Sequence, residues 1–160
     1  MEELHEVYLN IGSNIDPERH LQQAIRLLRE HGRVEAISNA WQSHAFGSNG
    51  PDFLNACVLF LTPLQADELK EQVIRPIEAK LGRVRGEDKF APRTIDIDII
   101  LFDEEPFGWE FWSNAFVVVP LAELLPDFHH PLNYEKLVRV AKHMRRQTWI
   151  EARPDVLNVV

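Results

Sequence analysis

Hydrophobic residues recur along this chain in runs and at helical spacing, and these patterns predict its secondary structure. The apolar-rich run 7–11 predicts a strand that the turn residues Gly12-Ser13-Asn14 close. Asp16 is a helix-capping residue type, and Pro17 suits the first helical position. An apolar stripe then predicts a helix that ends near Gly32, with its buried face formed by Leu21, Ala24, Ile25, Leu27 and Leu28.

The later apolar runs predict an α+β protein. The predicted strands lie at 34–41, 53–61, 94–102 and 116–119, the helices at 65–81 and 134–145, and the loops at 44–51, 82–92 and 103–113. Pro76 is expected to kink the first of these helices. The order β-α-β-β-α-β, with C-terminal additions, predicts a ferredoxin-like βαββαβ core with a mainly antiparallel sheet and helices packed on it.

Length, charge and cysteine content narrow the class of protein. The 160 residues predict one domain over 1–160, and the net charge of −8 argues against a general nucleic-acid binder. The single cysteine, Cys57, excludes an intrachain disulfide and is expected to be a buried thiol. No apolar stretch reaches membrane-spanning length, and the acidic start is unlike a signal peptide, so a cytoplasmic location is expected.

The segment around residue 97 carries the strongest chemical signal. Asp96 and Asp98 alternate with Ile95, Ile97 and Ile99, which is the period of a half-buried strand. Both carboxylates should therefore project from one face, roughly 6.5–7 Å apart. Paired carboxylates on one face suit hard cations bound through oxygen, although a solvated strand face is the simpler alternative.

Cations precede this strand within the reach of a loop. They are Arg83, Arg85, Lys89 and Arg93. Carboxylates for a metal beside a cluster of cations predict a site for a polyphosphate, with Mg²⁺ between substrate and protein. The alternative is a solvated loop in which Glu87 and Asp88 pair with the cations. The chain has no G-x-x-x-x-G-K-[ST] loop, so an ordinary P-loop ATPase is excluded.

Four segments resemble one known family in order and spacing. Residues 89–100 (KFAPRTIDIDII) resemble the signature of the 6-hydroxymethyl-7,8-dihydropterin pyrophosphokinases of folate synthesis, and 8–14, 51–56 and 81–85 resemble further family segments. The resemblance spans about Tyr8 to Pro126. It implies transfer of pyrophosphate from ATP to the pterin hydroxymethyl group, with AMP as the other product. It also implies small-molecule partners, no nucleic acid and no membrane, in a monomer or weak homodimer.

The resemblance also implies roles for individual residues. Asp96 and Asp98 would hold two Mg²⁺ ions, and Arg83 and Arg93 would neutralise and orient the transferring group. The nucleotide side would also contain Glu78 and Arg85. On the pterin side, Asn55 would hydrogen-bond the polar edge while Phe53 and Phe116 sandwich the ring; the other two residues expected there are Ser43 and Phe90, the latter in place of a usual tryptophan.

The chain departs from the family after the acidic strand. The segment 103–115 is short, and no lysine or arginine occurs from Thr94 to Glu135. Asn114 stands where the family has an arginine, and Gly86 where a lysine is common. Each hydrogen bond from a charged group contributes about 1.5–3 kcal/mol, so losing two or three of these cations could weaken nucleotide binding by orders of magnitude. A non-catalytic pterin- or nucleotide-binding paralogue is therefore the alternative function, whereas the acidic charge disfavours a metal-dependent nuclease.

Several aromatic and histidine residues also have simpler interpretations. Phe53 and Phe116 could be core residues, whereas a buried Asn55 would need polar partners. The pair His129-His130 is more typical of a surface turn than of a metal site. The aromatic residues at 107, 109, 111 and 112 could cover the core or form a patch for a partner.

Overall fold

A computed structural model describes residues 3–45, 50–83 and 94–158. The strands are β1 (His5–Ser13), β2 (Arg33–Ile37), β3 (Ala40–Ser43), β4 (Phe53–Thr62), β5 (Asp96–Phe102), β6 (Glu105–Pro106) and β7 (Ile150–Arg153). The α-helices are α1 (Pro17–His31), α2 (Ala66–Leu69), α3 (Arg75–Lys80), α4 (Ala115–Leu124), α5 (Leu137–Gln147) and α6 (Pro154–Leu157). A π-helical segment (Lys70–Ile74) joins α2 to α3, and a 3₁₀ helix (Glu110–Ser113) precedes α4.

The strands form one antiparallel sheet in the order β6-β5-β1-β4-β3-β7, and β2 also pairs with β4. Central strand β1 therefore lies between β4 and β5, as in ferredoxin-like folds. The predicted α+β class with a mainly antiparallel sheet is confirmed. No helix in the described ranges is long and apolar enough to cross a bilayer.

Helices cover both faces of the sheet. On one face, α1 and α3 bury Leu21 and Ile77 against strand residues such as Leu9. On the other face, α4 and α5 bury Val118 and Leu137 in the same cluster as Cys57. The Cys57 thiol is buried as predicted, and burial raises its pKa above the ordinary value. The side chains of β1, β4 and β5 therefore alternate between two separate cores.

The predicted strand at 116–119 is wrong, because these residues lie in α4. The run Phe116-Val-Val-Val119 has high β-propensity, but the whole segment is apolar and packs on the sheet as a buried helix. Short apolar runs of this kind do not distinguish a buried strand from a buried helix. Packing therefore overrides local propensity, even with Pro120 inside the helix.

Two other predicted elements are divided. The strand predicted at 34–41 is broken between β2 and β3, where Ser38 donates its backbone N–H to the Cys57 carbonyl and accepts the Cys57 N–H at its side-chain oxygen. The helix predicted at 65–81 contains the π-helical segment, and Pro76 occupies the first turn of α3. A proline is tolerated in a first helical turn because its missing N–H is not needed there.

The aromatic segment before α4 mainly covers the core. Trp112 is completely buried and packs near His130, whereas Trp109 is 61% exposed. The prediction of a surface turn is wrong for His130, which is buried with its Nε2 2.6 Å from the Trp112 carbonyl oxygen. Its Nδ1 accepts the backbone N–H of Leu132, so both ring nitrogens serve structural hydrogen bonds.

Candidate active site on the β1–β4–β5 face

The two aspartates of β5 lie on the same face of the sheet. Their alternating neighbours Ile95, Ile97 and Ile99 are buried in the core beneath α1 and α3. Asp96 and Asp98 therefore face the other way, and both are partly exposed. Across the sheet, Asp96 pairs with Gly12 and Asp98 pairs with Asn10. The strand places two carboxylates where a ligand from solvent reaches them.

A buried carboxylate and a guanidinium hold the start of β5 against α3. Glu78 of α3 is 3% exposed and accepts hydrogen bonds from the Ile97 amide at 3.0 Å and from Arg83 Nη1 at 3.1 Å. The same Nη1 contacts Asp96 Oδ1 and the Ile95 carbonyl oxygen. Burial alone lowers the pKa of Arg83, but the nearby carboxylates outweigh burial and raise it above its usual value. Arg83 is therefore a fixed cation that orients Asp96.

Two asparagines form a buried amide pair beside the carboxylates. Asn10 Nδ2 donates to Asn55 Oδ1 at 3.0 Å, and both residues are at most 5% exposed. Asn55 pairs with Gly12 across the sheet, and a Cβ at Gly12 would lie only 2.3 Å from Asn55 Oδ1. The glycine therefore lets the Asn55 amide lie close over the β1 backbone. The Asn10 amide is the polar partner that a buried Asn55 was expected to need.

Sequence reasoning missed Asn10 and the packing role of Gly12. The signal available in the sequence was a polar residue, Asn10, within the apolar run of β1; the structure then places it opposite Asp98. Its Oδ1 is buried and has no hydrogen-bond partner among the described residues. A buried acceptor of this kind is costly unless a ligand or another donor satisfies it.

Besides Asn55, three of the residues predicted to bind the pterin lie on this side of the sheet. Phe53 lies two residues before Asn55 on β4, so both side chains are on the same face of the sheet. Phe53 also pairs with Ser43 on β3. Phe116 lies in the first turn of α4, which packs over the same face. Both phenylalanines are half-buried, so they are neither fully in the core nor free in solvent. A cavity of about 310 Å³ is lined in part by Ser43 and Phe116, whereas Phe53 does not line it.

Other predicted site residues lie outside the described residues. These are Arg85, Phe90 and Arg93. Within the described ranges, no group of three or more histidine, cysteine or acidic residues could hold a metal ion. Asp96 and Asp98 fit Mg²⁺ through their oxygen atoms, since Mg²⁺ commonly takes one or two protein carboxylates together with substrate phosphates and water.

A ferredoxin-like sheet that presents paired carboxylates beside a largely buried guanidinium is suited to metal-bridged phosphate compounds. The family model described as 7,8-dihydro-6-hydroxymethylpterin-pyrophosphokinase (HPPK) matches residues 8–126. The chain belongs to this family, and the resemblance found in its sequence is confirmed.

Individual relatives agree with this assignment. The chain is 32% identical over 154 residues to a 2-amino-4-hydroxy-6-hydroxymethyldihydropteridine pyrophosphokinase of Synechocystis sp., covering 89% of this chain and 78% of the relative. It is 37% identical over 129 residues to the enzyme of the same name from Bacillus subtilis, covering 73% and 76%. The protein of the same name from Aquifex aeolicus is 34% identical over 146 residues, covering 85% and 89%.

One solved structure shares the fold. It is the wild-type HPPK-DHPS of Plasmodium falciparum with pteroate, which aligns with a TM-score of 0.67 at 11% identity. The alignment covers 92% of this chain and 43% of the Plasmodium chain. At this identity the similarity concerns the fold alone.

Proposed function

We propose that this chain transfers pyrophosphate from ATP to 6-hydroxymethyl-7,8-dihydropterin, with Mg²⁺, as a step of folate biosynthesis. The observation that carries the proposal is the placement of Asp96 and Asp98 on one partly exposed face, beside the Asn10–Asn55 amide pair, in a chain that matches the HPPK family. The cytoplasmic location and the monomer or weak homodimer stay predictions.

The phosphate side of the site depends on charge neutralisation and positioning. Asp96 and Asp98 would hold two Mg²⁺ ions, which when bound would offset negative charge on the ATP phosphates. Arg83 orients Asp96 through its contact with Oδ1, and Glu78 fixes Arg83. Arg85 and Arg93 are proposed to contact the nucleotide. In such transfers the protein contributes mostly electrostatics and alignment.

The pterin side combines one oriented amide with aromatic surfaces. Asn55, held by Asn10 and by the close approach to Gly12, would hydrogen-bond the polar edge of the pterin. Phe53 and Phe116 would cover the ring, with Ser43 at its rim and Phe90 closing over it. The hydroxymethyl oxygen then attacks the β-phosphorus, the bond to the oxygen that bridges to the α-phosphorus breaks, AMP leaves, and the hydroxyl proton passes to solvent.

One observation favours a second candidate function. The segment from Thr94 to Glu135 contains no lysine or arginine, and Asn114 stands in place of a family arginine. Losing two or three charged hydrogen bonds of about 1.5–3 kcal/mol each would weaken nucleotide binding by orders of magnitude. A non-catalytic homologue that binds a pterin alone is the alternative.

A product assay separates the two functions. The protein is incubated with Mg²⁺, ATP and 6-hydroxymethyl-7,8-dihydropterin, and the mixture is resolved by chromatography. We expect AMP and pyrophosphorylated pterin in equal amounts. Calorimetric pterin binding without AMP formation, and without binding of an ATP analogue in the presence of Mg²⁺, would support the non-catalytic alternative instead.

A further inference from the structure

The chain beyond the family match contributes one wall of the cavity next to the candidate pterin residues. The match ends at residue 126, yet five later residues line this cavity together with Ser43 and Phe116. They come from the end of α5 and the start of β7, and they are Met144, Gln147, Thr148, Trp149 and Ile150. Residues outside the matched range therefore shape this cavity.

A series of side-chain contacts holds Trp149 in place and leads back to Arg153 of β7. Its ring stacks on His44, with the centroids 4.5 Å apart and the planes at 22°. His44 Nδ1 lies 3.0 Å from Asp52 Oδ1, and Asp52 Oδ2 accepts a hydrogen bond from Gln42 at 2.9 Å. Gln42 Oε1 in turn accepts one from Arg153 at the end of β7. The indole is therefore positioned in advance although it is 42% exposed.

The lining of the cavity indicates the chemistry of its ligand. Among the described residues that line it there is no lysine, arginine, aspartate or glutamate. The polar lining comes from neutral hydroxyl and amide groups, and three rings complete it; these residues are Ser43, Asn114, Gln147, Thr148, His44, Phe116 and Trp149. Such a lining does not suit phosphates, whereas it suits a flat, uncharged heterocycle with donors and acceptors at its edge. Its volume of about 310 Å³ is within the usual range for small-molecule sites.

Given the proposed function, we propose that Trp149 is a specificity-determining residue for the pterin. It extends the aromatic surface on the Phe116 side of the bicyclic ring, while Phe53 covers the other side of the ring and the nucleotide binds elsewhere, near Asp96 and Asp98. The His44–Asp52–Gln42–Arg153 contacts serve to fix the indole. Trp149 thus selects a planar substrate without taking part in phosphate transfer.

Steady-state kinetics of Trp149→Ala test this role. We expect the KM for hydroxymethyl-dihydropterin to rise about tenfold, because the variant loses one aromatic contact surface. The KM for ATP and kcat should change by less than about twofold, a split that general damage to the fold does not produce. Trp149→Phe should recover most of the loss. The matched control is Trp109→Ala, since Trp109 is also an exposed tryptophan but does not line the cavity.

The outcomes distinguish this inference from the proposed function. An active wild-type protein whose Trp149→Ala variant keeps its pterin KM overturns the role of Trp149 and leaves the function standing. Equal changes in Trp149→Ala and Trp109→Ala, or a parallel rise in the KM for ATP, also overturn it. If the wild-type protein binds the pterin in calorimetry but forms no AMP, a Trp149-dependent pterin Kd supports the inference while the proposed function fails. Absence of both binding and turnover overturns both.

Discussion

Gly12 and Asn55 show how a single backbone position sets the geometry of the site. The Asn55 amide lies so close to Gly12 that an added Cβ would approach its Oδ1 to 2.3 Å. Neither residue has a charge, and neither stands out by composition. Their importance follows from the antiparallel register, which pairs them directly across β1 and β4.

Gly12→Ala is expected to displace the Asn55 amide and break its contact with Asn10. We expect a destabilisation of about 1–3 kcal/mol in urea unfolding, as for other overpacked sites, together with a raised KM for the pterin. In the double variant Gly12→Ala/Asn55→Ala the clash is absent. Stability should then recover towards that of Asn55→Ala alone while pterin affinity stays low. Simple additivity of the two single changes would contradict the proposed clash.

Asp98→Ala is expected to abolish turnover without unfolding the protein. Asp98 projects from the partly exposed face of β5, so its loss removes a proposed metal ligand but little core packing. We expect kcat to fall by several orders of magnitude, measured as AMP released, with an unchanged circular dichroism spectrum. Asp127→Asn is a suitable control, because Asp127 is 81% exposed and pairs only loosely with Lys136. Retained activity in Asp98→Ala would refute its role as a metal ligand.

Between elements, Glu78 connects α3 to β5. Its carboxylate accepts hydrogen bonds from the Ile97 amide and from Arg83, and its side chain is almost fully buried. Removing one partner of a buried ion pair leaves the other charge uncompensated. The stability of the β5 start, and so the position of Asp96, depends on a helix residue that lies well before it in sequence.

Glu78→Ala should therefore be strongly destabilising. We expect a loss of about 3–5 kcal/mol in urea unfolding, and a smaller loss for Glu78→Gln, which keeps an acceptor for the Ile97 amide. Glu71→Ala is the matched control. Glu71 lies in the π-helical segment just before α3 and forms a solvent-exposed ion pair with Arg75 of α3. Its removal should cost about 0.5 kcal/mol or less. Equal losses in the two alanine variants would show that Glu78 has no special role.

The β5–β6 hairpin contains an acid-sensitive contact. Asp103 and Glu104 form its two-residue turn, both with positive φ, and Asp103 bonds to the Glu6 amide and to His5. Burial raises the pKa of Asp103, but the hydrogen bonds outweigh burial and hold this pKa below its ordinary value. A carboxyl with a lowered folded-state pKa stabilises the fold above its unfolded pKa of about 3.9. That contribution is lost as the pH falls through the folded pKa.

Asp103→Asn is expected to lower Tm at pH 7 more than at pH 3. Asparagine tolerates the left-handed backbone of this turn, so the charge is the main change. The Tm difference between wild type and variant should shrink as the pH falls, which scanning calorimetry at several pH values measures. Glu104→Gln is the control, because it removes a charge from the same turn but leaves the contacts of Asp103 in place, and it should lower Tm at pH 7 by less. A pH-independent difference for Asp103→Asn would contradict this assignment.

At the scale of the whole molecule, we expect ligand binding to raise the free energy of unfolding and therefore Tm. The protein carries a net charge of −8, so a polyanionic nucleotide is expected to bind well only together with Mg²⁺. A ligand at a hundredfold excess over its Kd adds about 2.7 kcal/mol of stability. For a domain of this size that corresponds to a Tm rise of about 5–10 °C.

We therefore expect Mg²⁺ and a non-hydrolysable ATP analogue to raise Tm together, and neither alone to do so by as much. Chelation with EDTA should remove the shift, and the Asp98→Ala variant should not show it. A protein stabilised by the pterin alone, with no response to Mg²⁺ and the analogue, would instead match the non-catalytic homologue.

The amino-acid sequence by itself determined the features that depend on local periodicity. The alternation of isoleucine and aspartate placed both carboxylates on one face, and Pro17 and Gly32 marked the start and end of α1. The side-chain cap expected at Asp16 does not form. Asp16 precedes α1, but its side chain bonds Arg19 and does not cap the helix.

Only the tertiary structure decided the helix at 116–119, the partners of Arg83 and the position of Trp149, because these features depend on contacts between segments that are distant in sequence. Residues 116–119 became helical since an apolar helix could cover the sheet, although their propensity favours a strand. Arg83 was recognised as a cation of the site, but only the fold showed that Glu78 and Asp96 share it. Likewise, the stacking of Trp149 on His44 arises where β7 pairs with β3, a long-range pairing that neither segment specifies alone.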